Sequence, residues 1–296
     1  MKAYTSNNIR NIAVLGHGGK GKTTLCEAML YIAGASDRLG RVADGNTVLD
    51  FDSEEKRRKS SVSSAIAALE WDNTKLNIID APGLFDFEGG AAEAVRAAEA
   101  VLIVTSAGSG VDVGTEKAFR AAEKKGAAKF FAVTKTDSDH RNFYKTFDAL
   151  KEVYGNKLCP TIIPYMEGNI TKCYVNLMTG MAFSYDENGK ATKVPVPEDS
   201  VIEEMTSAFM EAVATTDDAL MEKFFEGEKF TKEEILKGLC IGIFDGSIYP
   251  VYAVSGLTCA GVDQLLYGLA WSAPGAFGYA CLLYTSPSPR DGATSR

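Results

Sequence analysis

A glycine-rich segment near the N-terminus holds the residues whose chemistry is easiest to interpret. The residues that fit the pattern GxxxxGK[ST] are Gly16, His17, Gly18, Gly19, Lys20, Gly21, Lys22 and Thr23, and Thr24 follows them. An apolar run at residues 11–15 precedes the segment, and apolar residues at helical spacing follow it. Glycines there let backbone N–H groups surround phosphate oxygens at a helix N-terminus. We expect Lys22 to reach the terminal phosphates and the Thr23 hydroxyl to ligate Mg²⁺.

A second element, Asp80-Ala81-Pro82-Gly83, follows the apolar run at residues 76–79. A carboxylate at the end of a strand can hold the hydration shell of Mg²⁺, and a glycine amide can meet a γ-phosphate. Taken alone, the pattern also fits a strand that ends in a type I or II turn. The phosphate loop upstream favours the nucleotide interpretation, with Asp80 binding the metal through water and Gly83 acting in catalysis beside Lys22.

Two further segments indicate which base is bound. Thr134, Lys135 and Asp137 follow an apolar strand, and the Asp137 carboxylate can accept both N1–H and N2–H of guanine. Adenine has no such pair of donors. The Lys135 stem would lie along the base and ribose, and Ser255 and Gly256 would present backbone amides to guanine O6. The order of the four segments predicts binding of GTP and GDP.

The alternation of elements predicts the fold class. Short apolar runs alternate with amphipathic stretches from residue 11 to about residue 165, which is typical of a parallel sheet covered by helices. We therefore expect an α/β fold of the P-loop type, a doubly wound, mostly parallel sheet. One of its strands is predicted at residues 62–71. Residues 166–249 change to short strands and an acidic helical stretch, which predicts an inserted α+β subdomain.

Composition excludes several classes of protein. The chain has 296 residues, 46% of them apolar, a formal charge of −8 and a pI near 5.0, which is typical of a globular protein. An acidic chain without a basic patch is not expected to bind DNA directly. No apolar run reaches the roughly 18 residues of a membrane span, so we expect no membrane partner and a cytoplasmic location.

The C-terminal residues 281–296 are rich in Ser, Pro and Arg and have no apolar periodicity. Residues 281–291 resemble the in-frame translation of a sequencing-library adapter. We expect residues 281–296 to be a disordered, non-native tail, and residues 1–280 to be one GTP-binding domain.

With these residues placed, the chain resembles the GTP-binding domain of translational GTPases, most closely the elongation factor G-like branch. The likeness covers about residues 11–276 and includes RNIAVLGHGG, RLGRVADGNTVLDFDSEE, LEWDNTKLNIIDAPG and TKTD. It implies GTP hydrolysis with Mg²⁺ and a ribosome-linked conformational step of the complete protein. It also implies that Ser61 stands where the family has a Thr that completes the metal site.

The chain departs from the family pattern at several positions. Ala81, Thr134 and Gly256 stand where the family has Thr, Asn and Ala, and Gly19 stands where an Asp is common. The loss of that Asp suggests that the neighbouring Lys20 supplies positive charge in place of a monovalent cation.

The departure with the largest chemical consequence is Leu84, which stands where elongation factors have a His that orients the attacking water. Leu has no hydrogen-bonding group, so we expect slow intrinsic hydrolysis, and Asp86 and Glu88 are the nearby polar candidates. Two alternatives stay open: a GTP-gated binding module with little or no hydrolysis, and a metabolic kinase that would prefer ATP.

Overall fold

The computed structural model describes residues 2–138, 142–168 and 170–276. The predicted tail at residues 281–296 lies outside the described residues, as does His140, one of the two histidines. Among the helices of these three ranges, none combines the length and the apolar character needed to cross a bilayer.

The described residues form ten strands and nine α-helices. The strands are β1 (Ile9–Leu15), β2 (Ala65–Trp71), β3 (Thr74–Asp80), β4 (Ala100–Ser106), β5 (Ala128–Thr134), β6 (Leu158–Glu167), β7 (Ile170–Asn176), β8 (Met181–Tyr185), β9 (Ala191–Val194) and β10 (Tyr249–Ala253). The helices are α1 (Lys22–Ile32), α2 (Ser53–Arg58), α3 (Glu88–Ala97), α4 (Val113–Lys125), α5 (Phe143–Tyr154), α6 (Ser200–Ala214), α7 (Asp218–Glu226), α8 (Lys232–Asp245) and α9 (Val262–Ser272).

All ten strands join one sheet in the order β2-β3-β1-β4-β5-β10-β6-β7-β8-β9. The six strands from β3 to β6 in this order pair in parallel, whereas β2 and the hairpin strands β7, β8 and β9 are antiparallel. The central strands β4 and β5 are buried along their whole length, as expected for parallel strands covered by helices on both faces. The predicted α/β fold with a mostly parallel sheet is confirmed.

The strand predicted at residues 62–71 is shorter in the structure, because β2 begins at Ala65. The Oε1 atom of Glu55 accepts hydrogen bonds from the amides of Val62 and Ser63 at 3.0 and 3.2 Å. These amides therefore bond to a side chain instead of a neighbouring strand, and residues 62 and 63 stay in the loop after α2.

Residues 166–249 begin at the end of β6 and extend the sheet through the antiparallel strands β7, β8 and β9. The chain then forms α6, α7 and α8 before β10 returns to the sheet between β5 and β6. Helix α6 packs on β6, and α8 packs on β5 and β10. The strands of this region thus belong to the main sheet, and α6 and α8 pack on it.

The parallel pairing brings the ends of four strands to one edge of the sheet. Strands β1, β3 and β5 end at Leu15, Asp80 and Thr134, and β10 ends two residues before Ser255. Since the carboxyl ends of parallel strands share an edge, the four predicted nucleotide segments lie side by side there.

Candidate nucleotide-binding site

The phosphate loop connects β1 to α1 and depends on glycine at its turns. Gly16, Gly19 and Gly21 have φ values of 143°, 75° and 88°, a region that L side chains rarely adopt. A Cβ atom on Gly16 would also overlap the carbonyl oxygen of Val104 in β4. The loop therefore keeps its path because glycine occupies these turns.

Lys22 begins α1 and folds back over the loop. Its Nζ atom donates hydrogen bonds to the carbonyl oxygens of Gly16 at 3.1 Å and His17 at 3.0 Å, and the residue is only 7% exposed. Burial lowers the pKa of the Lys22 amine, while the Asp80 carboxylate opposes that shift. A buried cation at this point is well placed to attract a phosphate.

Four side-chain oxygens meet beside Lys22. The Thr23 hydroxyl donates to Asp80 Oδ2 at 2.6 Å, and the Ser61 hydroxyl donates to Asp50 Oδ1 at 2.7 Å. The two hydroxyl oxygens lie 3.1 Å apart. That separation is a hydrogen-bond distance at which either hydroxyl can donate, so the four oxygens form one continuous network.

These oxygens fit a hard divalent cation. Asp80 is 1% exposed and Asp50 is 4% exposed, and Asp80 Oδ1 and Asp50 Oδ2 are buried without a hydrogen-bond partner. Burial raises the pKa of Asp80 to about 7, against the hydrogen bond from Thr23 and the charge of Lys22. Mg²⁺ prefers such oxygen donors together with water and phosphate. Two carboxylates and two hydroxyls form this candidate site. The described residues hold no cluster of three or more His, Cys, Asp or Glu side chains that could bind a metal.

Asp50 is a site residue that the sequence analysis missed. It lies in the loop between α1 and α2, and its side chain is held by Ser61, 11 residues further along the chain. The signal available in the sequence was a single carboxylate inside the apolar run Val48-Leu49-Asp50-Phe51. That pattern has no fixed spacing to the phosphate loop, so only the folded chain shows that Asp50 faces Thr23 and Asp80.

A cavity of about 180 Å³ opens onto these groups. Its lining residues are Gly18, Gly19, Gly21, Lys22, Thr23, Thr24, Val42, Asp50, Lys59, Ser60, Ser61, Gly83 and Lys135. One space is thus surrounded by the phosphate loop, by the segment that ends at Ser61, and by two single residues, Gly83 and Lys135. A cavity of about 420 Å³ adjoins the other side of Gly83, next to Gly16 and Leu84. Two larger cavities, of about 520 and 710 Å³, lie near α8 and α9 and between α6 and α7, away from the phosphate loop.

The predicted base-binding segment is tied to the phosphate loop. The Thr134 hydroxyl donates to the carbonyl oxygen of Lys20 at 2.6 Å, and Lys135 Nζ donates to that of Gly19 at 2.8 Å. Lys135 has a φ of 60°, so the backbone turns sharply before the exposed Asp137. Asp137 itself is exposed, and its contact with guanine stays a prediction.

Ser255 and Gly256 differ in what they offer a base. The Ser255 amide donates to the carbonyl oxygen of Ala260 at 2.9 Å, within its own loop, and the contact of Ser255 and Gly256 with guanine O6 stays a prediction. A Cβ atom on Gly256 would lie 3.1 Å from the Thr24 carbonyl oxygen and the Leu25 amide. Gly256 therefore packs closely against the first turn of α1, where a larger side chain would need that turn to move.

Leu84 and its neighbours form the face opposite the loop. Leu84 is 40% exposed, and its Cδ2 atom lies 3.0 Å from the position that a Cβ atom on Gly18 would take. The ring of Phe85 contacts the His17 ring, with 5.5 Å between the ring centroids. Glu88 accepts a hydrogen bond from Lys117. The position of the water-orienting His thus carries an aliphatic side chain, and the nearby Glu88 carboxylate is paired with a lysine.

Lys20 does not point freely toward the cavity. Its Nζ atom lies 3.0 Å from Asp112 Oδ2, at the N-terminus of α4. The positive charge suggested as a replacement for a monovalent cation is therefore balanced by a carboxylate.

Comparisons with known proteins agree with this geometry. Residues 7–274 match the family model described as the elongation factor Tu GTP binding domain. Elongation factor G-like proteins from Mycobacterium tuberculosis strains CDC 1551 / Oshkosh and ATCC 25618 / H37Rv are 33% identical over 261 residues. That match covers 87% of this chain and 36% of each relative, so the chain spans about a third of their length.

A crystal structure of a protein from Thermus thermophilus superposes with a TM-score of 0.84 at 35% identity. The superposition covers 91% of this chain and 41% of the other. The family match extends over nearly all described residues and includes all four nucleotide segments. The chain belongs to the family of elongation factor Tu type GTP-binding domains.

Proposed function

We propose that this chain is the part of an elongation factor G-like protein that binds GTP and GDP with Mg²⁺ and hydrolyses GTP. In this proposal residues 1–280 are the GTP-binding domain and residues 166–249 are an inserted subdomain. The single observation that carries the proposal is the meeting of Thr23, Asp80, Ser61 and Asp50 oxygens beside Lys22. These residues come from the phosphate loop, β3 and the loop around α2. A site of this composition suits a phosphate chain with a divalent cation.

In this proposal each site residue has one role. The amides of the phosphate loop and the Lys22 amine bind the phosphate oxygens. Thr23 and Ser61 would hold the metal directly and Asp50 and Asp80 would hold it through water, and a bound Mg²⁺ would supply positive charge to the phosphates. Asp137 accepts the two N–H donors of guanine. Because Ser61 belongs to a loop, its bond to the metal would couple the position of that loop to the γ-phosphate.

The Leu84 side chain bears on the rate of hydrolysis. General acid–base assistance is worth roughly 10² to 10⁴ in rate, and an aliphatic group supplies none of it. We propose that the isolated chain hydrolyses GTP slowly and that the ribosome, bound through the complete protein, completes the arrangement. Adding ribosomes to the complete protein should raise its turnover, and an unchanged rate would contradict this part of the proposal.

The direct test is equilibrium titration of the chain with fluorescent GDP, GTP and ADP, each with Mg²⁺ and with EDTA. We expect binding of GDP and GTP that weakens in EDTA, and little binding of ADP. Preference for ADP would favour the kinase alternative. Binding of GTP with no turnover, even with ribosomes, would favour the binding-module alternative.

A further inference from the structure

Glu27 is a buried carboxylate with no part in the site described so far. It lies in α1 four residues after Thr23, so both side chains leave the same face of the helix. Its exposed fraction is 0%. Carboxylates are almost never fully buried unless other groups bind them, so Glu27 requires an explanation.

The contacts of Glu27 lead to the metal site. Its Oε1 atom accepts hydrogen bonds from the amides of Val48 at 2.8 Å and Leu49 at 3.0 Å. The next residue is Asp50, which holds Ser61, and the Ser61 hydroxyl lies 3.1 Å from Thr23. A closed ring of contacts therefore runs from α1 through the loop and back to α1. Glu27 and Thr23 are the two residues of α1 that contact the loop in this ring.

The chain is shaped around this carboxylate. A Cβ atom on Gly40 would overlap Glu27 Oε2 and would lie 2.9 Å from the Cα atom of Thr47. The backbone at Gly40 thus packs closely against both the Glu27 carboxylate and the backbone at Thr47, just before the amides that Glu27 binds. Gly40 does not have a positive φ, so its glycine is required by this close approach and not by backbone conformation.

A role in core stability alone is a poor explanation. Oε2 is buried without a hydrogen-bond partner, and burial raises the pKa of Glu27 against the two backbone hydrogen bonds. An apolar side chain of similar size would fill the space without that desolvation cost. What only an acceptor can provide is a fixed position for the backbone immediately before Asp50.

We propose that Glu27 is a positioning residue that sets Asp50, and through it Ser61, for the metal and the γ-phosphate. The inference rests on the proposed function, since it assigns Glu27 to that same site. It assigns no contact between Glu27 and the nucleotide.

The test compares Glu27→Ala and Glu27→Gln with Met29→Ala. Met29 is also fully buried in α1, so its truncation disturbs the core without removing an acceptor from the loop. The quantity measured is the ratio of the GTP dissociation constants in EDTA and in Mg²⁺. A second readout is hydrogen exchange at the amides of Val48 and Leu49.

We expect Glu27→Ala to reduce the Mg²⁺ ratio about tenfold and to speed exchange at both amides, because hydrogen bonds to a charged group are lost and the loop is released. Glu27→Gln keeps an oxygen acceptor and should stay within about threefold of wild type. Met29→Ala should keep both the wild-type ratio and the wild-type exchange rates at the two amides. Gly40→Ala displaces the carboxylate without removing it, so it should reduce the Mg²⁺ ratio as Glu27→Ala does. This variant replaces Glu27→Ala in the test if Glu27→Ala does not fold.

The outcomes separate the two proposals. If wild type shows no Mg²⁺-enhanced GTP binding, the proposed function itself is wrong. If wild type shows Mg²⁺-enhanced GTP binding, and Glu27→Ala or Gly40→Ala has the same ratio of dissociation constants as Met29→Ala, only the positioning role of Glu27 is wrong.

Discussion

Two glycines at equivalent helical positions allow a matched test of how the phosphate loop is supported. Gly114 is the second residue of α4, and Gly89 is the second residue of α3. A Cβ atom on Gly114 would lie 2.5 Å from His17 Cα and 2.8 Å from His17 N, whereas one on Gly89 would meet nothing within 4 Å. The atoms that a Cβ on Gly114 would overlap are backbone atoms of the phosphate loop, which cannot move aside by a change of side-chain rotamer.

We expect Gly89→Ala and Gly114→Ala to change the free energy of unfolding in opposite directions. Replacing glycine by alanine in a helix gains up to roughly 1 kcal/mol, and Gly89→Ala should show part of that gain. Gly114→Ala gains the same helical preference but forces an extra carbon against His17, and overpacking costs about 1–3 kcal/mol. We therefore expect Gly89→Ala to be neutral or stabilising and Gly114→Ala to lower the free energy of unfolding by up to about 2 kcal/mol.

The displacement of the loop should also weaken nucleotide binding. Urea denaturation of both variants measures stability, and titration with fluorescent GDP measures affinity. We expect Gly114→Ala to bind GDP at least about tenfold more weakly, and Gly89→Ala to bind as wild type does. If the two variants are equally stable and bind GDP equally well, the close packing of α4 on the phosphate loop does not support the site.

Three further predictions concern the site itself. Leu84→His should raise GTP turnover by roughly 10²- to 10⁴-fold if the lack of a water-orienting side chain at this position limits the rate. Single-turnover hydrolysis measures this rate, and an unchanged rate would mean that another group orients the water. Asp137→Asn should weaken GDP binding at least about tenfold without creating ADP binding, since it removes one of two acceptors for guanine, and equal GDP affinity would exclude Asp137 from base recognition. Burial raises the Asp80 pKa from 3.8 to about 7, so the native state holds an extra proton between these values and its stability should fall as pH rises through that window in EDTA. Urea denaturation at about pH 5 and about pH 8, on either side of the raised pKa, should show a smaller fall for Asp80→Asn than for wild type, and equal falls would assign the pH dependence to other groups.

The sequence by itself determined the parts of this protein that are local in the chain. The phosphate loop is one continuous segment, so residue order and covalent geometry fix which amides, amine and hydroxyl lie together. The alternation of apolar runs and amphipathic helices determined a parallel sheet, because parallel strands need crossover connections and helices supply them. The parallel sheet in turn placed Asp80 and Thr134 at the same edge as the loop.

Only the tertiary structure decided how distant segments complete the site. The family resemblance already implied a metal-site position for Ser61, but only the path of the loop between α1 and β2 shows that Asp50 binds Ser61 beside Thr23, and no spacing rule predicts this because the loop has no repeating geometry. The same applies to Ser255, whose amide is taken by Ala260, and to Glu27, whose partners lie 21 and 22 residues away. Motif spacing shows which groups are present, but desolvation and competition for hydrogen bonds in the folded chain decide which of them are available to a ligand.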